Sequence, residues 1–387
     1  MENNSDDLYK RLAKHLDNLP GGFPETDSGV ELRILKRLFT PEDAELALSL
    51  SLIAEEPRVI AHRANISVEE AATRLDEMEK KGLIYGTHYK DRPPKYTALQ
   101  FIVGIWEFQV NKLTPELVDD VNEYIPYWVN TDVWKRVPQI RSIPIDEAID
   151  SELEVMSYES AINLVQAQDR ITVSPCICRT EQRTMGKGCD KPLETCLSFG
   201  DGADFYVRNG MGRSINKEEA LSILKKADAA GLVLSPGNSQ KANFICACCG
   251  CCCGVLRTLK NFPHPADIVS SPFTAELNTE NCIGCGICLE RCQMEALKLD
   301  EKIILDKDRC IGCGLCVTTC PTNSLKLKRK IKDIQHAVPR NFIEMNIKLG
   351  RARGKLSTGR LMKMIVKSKL DRMNARKIKN RKRKRGR

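Results

Sequence analysis

Two cysteine runs set 28 residues apart constrain this chain more than anything else in it. The first reads Cys282-Ile-Gly-Cys285-Gly-Ile-Cys288-Leu-Glu-Arg-Cys292, the second Cys310-Ile-Gly-Cys313-Gly-Leu-Cys316-Val-Thr-Thr-Cys320. Both have the spacing C-x2-C-x2-C-x3-C. Thiolates are soft ligands that suit iron and sulfide. Three of them at i, i+3 and i+6 wrap one corner of a cuboidal cluster when the backbone between them is small, and Gly284, Gly286, Gly312 and Gly314 make it so. The fourth cysteine of each run is expected to start a helix that points away, and so to reach the other cluster. Cys282, Cys285, Cys288 and Cys320 are therefore expected to hold one [4Fe-4S] cluster, and Cys310, Cys313, Cys316 and Cys292 a second. Zinc sites usually pair two C-x2-C knuckles across a longer gap, a poor fit to this doubled register.

The repeat extends past the ligands. Ala296-Leu297-Lys298-Leu299 follows Cys292 as Ser324-Leu325-Lys326-Leu327 follows Cys320. Asp300-Glu301-Lys302 joins two short apolar strands, Leu297 to Leu299 and Ile303 to Leu305, as a hairpin turn would. Residues 277–330 resemble the bacterial two-cluster ferredoxins, which implies a fold with pseudo-twofold symmetry. One departure stands out: Gln293 occupies the place where the family pattern has proline. Losing that proline is expected to alter local rigidity or solvent access and to leave ligation alone.

At 387 residues the chain is long enough for two or three domains. It has no run of 18 apolar residues, and its acidic start, Met1-Glu2-Asn3-Asn4-Ser5-Asp6-Asp7, is not expected to act as an export signal. A cytoplasmic location is expected. None of the 18 cysteines precedes Cys176 or follows Cys320, so they belong to one metal-binding half and not to a disulfide framework. The net charge of +9 owes much to the last residues.

An α+β chain is expected, in six parts. Residues 1–29 form an N-terminal extension with a short helix over Leu8 to Leu19. Residues 30–105 pair helical patterns with two strands. Thr40, Pro41 and Asp43 open a helix expected to run to about Ala54; another covers Arg58 to Ala64; Ser67-Val68-Glu69-Glu70 caps one that stops at Gly82. Leu83 to Tyr85 and Tyr96 to Leu99 read as strands around a loop from Lys90 to Lys95. This order resembles the winged-helix fold. DNA binding would follow from that resemblance, but the helix that would enter the groove carries Glu69, Glu70, Asp76, Glu77 and Glu79, which phosphates repel. A docking or dimerisation module is the better expectation. In the helical and linker region, residues 106–170, Trp106, Trp128 and Trp134 are expected to pack a core or to line a cofactor cleft.

Residues 171–270 hold ten further cysteines: Cys176, Cys178, Cys189, Cys196, Cys246, Cys248, Cys249, Cys251, Cys252 and Cys253. The first four, spaced C-x-C-x10-C-x6-C, supply enough thiolates for zinc or one cubane. In the later run, Cys246 with Cys249 and Cys249 with Cys252 form C-x2-C pairs, which leaves Cys248 and Cys251 to face elsewhere. Ten thiols in a reducing compartment are expected to hold a further iron–sulfur cluster or zinc. From Ser174-Pro175-Cys176-Ile177-Cys178-Arg179 into the doubled run of residues 271–330, the arrangement resembles large multi-cluster ferredoxin-type proteins of anaerobic prokaryotes. Cys248-Cys249-Gly250 is also similar to part of the cysteine-rich domain of heterodisulfide reductases, but the widely spaced second copy and the downstream C-x-x-C of that family are missing.

Residues 331–387 form a basic tail, with a helix expected over Arg351 to Lys369 and a solvated run from Arg376 to Arg387. Nucleic acid, an anionic membrane or an acidic redox partner would suit it. No nicotinamide or flavin fingerprint is present. The expected function is a cytoplasmic iron–sulfur electron carrier or oxidoreductase subunit that serves redox partner proteins. The rivals are a redox-responsive winged-helix regulator that binds nucleic acid and an iron–sulfur or metal maturation factor.

Overall fold

A computed structural model describes residues 2–385, with side chains described for residues 6–376. The chain divides into two compact units, residues 1–128 with 350–387, and residues 129–349.

The first unit opens with α1 (Glu2–Asp17), α2 (Val30–Leu38) and α3 (Pro41–Ala47). Thr40 caps α3 in a reciprocal box with Asp43, and Pro41 sits at its first turn, where a missing N–H costs nothing. The helix ends at Ala47, well short of the expected Ala54. Helices α4 (Pro57–Ala64) and α5 (Val68–Lys80) follow, with the Ser67 side chain accepting from the Glu70 N–H. Strands β1 (Ile84–Tyr89) and β2 (Arg92–Ala98) then pair antiparallel, longer than the sequence pattern suggests. Pro93 and Pro94 fall where the register shifts between Thr87 and Tyr89, an irregularity that relieves the ladder of their missing N–H groups.

Aromatic residues fill this unit's core. Phe23 lies 5.0 Å from Phe101 and 4.8 Å from Tyr124, ring centroid to centroid. Tyr124 and Trp128 belong to α6 (Pro115–Trp128), and the Trp128 indole donates to the Gly21 carbonyl at 3.1 Å. Trp106 and Trp128 are both buried here. The C-terminal helix (Thr358–Arg385) packs on α4 within the same unit. Its Ser368 hydroxyl donates to the buried Glu55 carboxylate at 2.6 Å, and Asp371 accepts from Arg63 at 2.8 Å. Part of the basic tail is thus structural. The side chains of its last residues, 377–387, lie outside the described ones.

The second unit begins with α7 (Thr131–Arg136), whose Trp134 is buried. Residues 138–149, with a linker's proline content, instead form a buried strap. Ile143 pairs with Leu234, and the Ser142 N–H donates to the Ser270 carbonyl. Arg141 is 1% exposed and donates to the carbonyls of Tyr158, Ser239 and Gly237. Burial pushes its guanidinium down to about 10.

Beyond α8 (Ala161–Gln166) lie β3 (Ile171–Pro175), α9 (Ile177–Thr184), β4 (Glu194–Phe199), α10 (Asp201–Arg208), β5 (Arg213–Ile215), α11 (Lys217–Ala229), β6 (Val233–Pro236), β7 (Phe244–Cys248) and α12 (Gly254–Lys260). The strands form one antiparallel sheet in the order β5-β3-β4-β7-β6. The doubled cysteine runs then sit among β8 (Phe273–Leu277), α13 (Ile287–Arg291), β9 (Leu297–Leu299), β10 (Ile303–Leu305) and β11 (Leu325–Arg329). β9 and β10 make the expected hairpin, and β11 pairs with β8. The two repeats are symmetric in backbone detail: Gly284 and Gly312 both have φ +65°, and Gly286 and Gly314 have φ +76° and +77°. A Cβ on Gly284 would lie 2.4 Å from the Glu301 carbonyl oxygen, and one on Gly312 2.2 Å from that of Phe273. No helix among the described residues is long and apolar enough to cross a membrane.

Candidate metal centres

The doubled runs enclose two cavities. Cys292, Cys310, Cys313 and Cys316 line one, and Cys282, Cys285, Cys288 and Cys320 line the other, both in part open to solvent. Each cavity therefore gathers three cysteines of one run and the fourth of the other. Cys292 does not start a helix, as the spacing suggested; it ends α13, and Cys320 lies in a turn.

Backbone amides point at these sulfurs. The Ala296 N–H donates to Cys292 Sγ and the Ser324 N–H to Cys320 Sγ, both at 3.2 Å, while the Ala275 N–H reaches Cys310 Sγ at 3.3 Å. The repeat seen after each fourth cysteine is thus the part of the chain that aims an amide back at its sulfur. Burial pushes the thiols of Cys288 to about 11 and Cys313 to about 12. Thiols this reluctant to ionise become thiolates when a metal displaces the proton. Soft donors, four to a cavity, with amides aimed at the sulfurs, fit a cubane cluster.

The other ten cysteines fall into two groups, and β7 does the dividing. Side chains alternate along a strand, so Cys246 and Cys248 share one face of the sheet while Cys249 turns away. Cys196 on β4 stands beside Cys246, because Leu197 pairs with Ile245. The thiols interact as a chain, Cys176 with Cys178, Cys178 with Cys253, Cys253 with Cys248, Cys248 with Cys246, and Cys246 with Cys196. Cys176 and Cys253 enter this group as the residues that cap α9 and α12. The set shares protons unevenly. Contact with Cys178 and then burial push Cys176 well up, whereas contact with the Cys246 and Cys253 thiols holds Cys248 down to about 5.

The remaining four, Cys189, Cys249, Cys251 and Cys252, have sulfurs all within 4.8 Å of one another. Cys176, Cys178, Cys189 and Cys196, the widely spaced set, are not brought together as one. Cys189 leaves it because the loop after α9 swings towards the turn after β7. The expected Cys246–Cys249 pair is also split by strand alternation, while Cys249 and Cys252 stay together.

Arg179, the last residue of the Ser174-to-Arg179 motif, lies between the groups and has a role that spacing alone does not reveal. It is fully buried and donates to the Ala247 carbonyl at 3.0 Å, to Cys249 Sγ at 3.7 Å and to the Thr195 hydroxyl. None of these partners is a carboxylate. Burial works against its charge, and Cys176, Cys249 and Cys248 outweigh that effect and hold it protonated.

Gln293, where proline was expected, docks the two cysteine regions. Its side-chain oxygen accepts from the Gly250 N–H at 2.8 Å. Arg291 strengthens the same junction through an ion pair with Asp228 on α11, and Arg309 donates to the carbonyls of Phe262 and Lys260.

A family model described as a 4Fe-4S dicluster domain matches residues 275–327, and a second model of the same description matches residues 302–362. The doubled run is thus similar to 4Fe-4S dicluster domains, and with the cysteine-rich region it fits an iron–sulfur protein. No curated protein and no solved structure matches the chain.

Proposed function

We propose that this protein is an electron carrier that passes single electrons through two [4Fe-4S] clusters to or from a partner oxidoreductase. The observation that carries the reading is the grouping of eight thiols into two four-cysteine cavities, each completed by the other run. Cys282, Cys285, Cys288 and Cys320 hold the first cluster, and Cys310, Cys313, Cys316 and Cys292 the second. When bound, each cluster takes up or gives one electron. The chain's part is to set the potential: four thiolates favour a low one, and the amides of Ala275, Ala296 and Ser324 raise it by stabilising added negative charge.

The two ends of this wire differ. Cys285 is exposed and flanked by Ile283, 67% exposed, and Ile287, 46% exposed. An apolar rim round an accessible ligand suits brief contact with a redox partner. The second cluster's Cys292 adjoins Gln293 and so the ten further cysteines. Those cysteines supply at least one further metal centre, and an iron centre among them would extend the path inward. The first unit, helices followed by a two-stranded hairpin as in winged-helix proteins, serves as a docking module, since α5 is too acidic for a groove of phosphates. Eighteen free cysteines suit the reducing cytoplasm.

The test is anaerobic purification of the full chain, with iron and sulfide analysis and a reductive titration followed by visible absorption. The proposal expects bleaching in one-electron steps and at least about eight irons with matching sulfide. A protein with zinc alone, or one whose chromophore does not respond to reductant, would overturn it.

A further inference from the structure

The four sulfurs of Cys189, Cys249, Cys251 and Cys252 are too close for a cubane and well spaced for a single ion. Cys189 Sγ lies 4.0 Å from Cys249 Sγ and 3.6 Å from Cys252 Sγ, and Cys251 Sγ lies 3.8 Å from Cys252 Sγ. A tetrahedral site with metal–sulfur bonds of about 2.3 Å has edges of about 3.8 Å. A cubane must fit four irons and four sulfides between its thiolates. The eight thiols of the doubled run, all among the described residues, form no set as tight as this one. Among the described residues, these four are the one set of potential ligands whose donor atoms all lie so close together.

We propose that Cys189, Cys249, Cys251 and Cys252 hold one tetrahedral divalent ion, zinc or iron, as a mononuclear site separate from the clusters. The donor set is the one such ions favour, since four thiolates in a tetrahedron suit zinc and mononuclear iron alike. Four thiolates around a divalent ion leave a net charge of two negatives. Arg179, fixed at 3.7 Å from Cys249 Sγ and lacking a carboxylate among its hydrogen-bond partners, neutralises part of it.

The site also joins distant parts of the chain. Arg183 pins the Cys189 loop by donating to the carbonyls of Cys189 and Lys191. Cys249, Cys251 and Cys252 come from the turn after β7. Gly250, inside that turn, is held by Gln293 beside the second-cluster ligand Cys292. An ion here fastens the turn to the Cys189 loop and fixes the turn's position against the doubled run. It leaves Cys176, Cys178, Cys196, Cys246, Cys248 and Cys253 as the donors for any further cluster.

The test uses full-length protein purified anaerobically, with zinc, iron and acid-labile sulfide measured together. Cys251→Ser and Cys189→Ser should each lose about one metal ion per chain and no sulfide. Cys251→His, which keeps a donor suited to either metal, should retain the ion and controls for misfolding. Loss of zinc identifies one arm; loss of iron, together with loss of a mononuclear ferric resonance that the unaltered protein shows after mild oxidation by ferricyanide, identifies the other. Loss of iron and sulfide in step from both serine variants, or no loss of metal from either, overturns the proposal. Bleaching of the cluster absorption by reductant, followed in the same samples, reports separately on the electron-carrier reading.

Discussion

The side-chain oxygen of Gln293 accepts a hydrogen bond from the Gly250 N–H at 2.8 Å, which ties the residue after Cys292 to the turn between Cys249 and Cys251. Proline in that place has no side-chain acceptor to offer. The residue that replaces proline in the ferredoxin pattern at position 293 is thus one whose side chain bonds to a neighbouring cysteine region. A Cβ on Gly250 would lie 2.3 Å from the Gln293 carbonyl oxygen, so the two backbones meet with no space for a side chain.

Gln293→Pro should keep both clusters, because no ligand changes, but lose the junction. The buried Gly250 N–H would be left without its acceptor, at a cost of about 1–3 kcal/mol. Thermal unfolding of the anaerobic protein should show the lower stability with cluster absorption unchanged before the transition. Unaltered stability would mean that the hydrogen bond is incidental.

Arg179→Met should strip metal from the region of the ten cysteines while the doubled run keeps its iron. Methionine fills similar volume but removes the cation facing Cys249 and the donors to Ala247 and Thr195. Arg179→Lys should rescue little, since a single ammonium does not reproduce the guanidinium fork. Metal analysis of the three proteins decides it. Equal metal content in all of them would contradict the role.

The eight cysteines of the doubled run were legible in the sequence because local spacing decides which way they face. The ten others were not. Which of them meet depends on β7 alternation, on the register that sets Cys196 beside Cys246, and on a loop that carries Cys189 some 60 residues away in sequence to Cys249. The strap of residues 138–149 is hidden in the sequence for a similar reason. Pro138 and Pro144 suggest a linker, and nothing local tells that Arg141 finds three carbonyls in the interior. The helix from Pro41 ends before the sequence pattern suggests because the apolar residues beyond Ala47 continue into a turn, after which Leu50 is buried.

Stability should also vary with pH through Glu107. Burial raises its carboxyl to about 7, although the Gly104 N–H donates to it at 2.7 Å. The folded protein then binds a proton that the unfolded chain, with a carboxyl near its ordinary value of 4.5, has lost. Stability from this group is fully present below about 4.5 and is lost as pH rises through about 7. Glu107→Gln should remove that loss, and unfolding midpoints for both proteins across pH 5 to about 8 will show it. Parallel profiles would contradict the assignment.

The central claim is that each cluster draws its fourth thiolate from the other run. Electron paramagnetic resonance of the fully reduced chain tests it most directly, with Cys292→Ser compared against Cys313→Ser and Cys285→Ser. If the ligands cross, Cys292→Ser perturbs the same cluster as Cys313→Ser, and these two variants share one altered spectrum. Cys285→Ser gives a different one, because the other cluster is affected. If Cys292→Ser instead matches Cys285→Ser, the clusters do not exchange their fourth ligands and the account of the site is wrong.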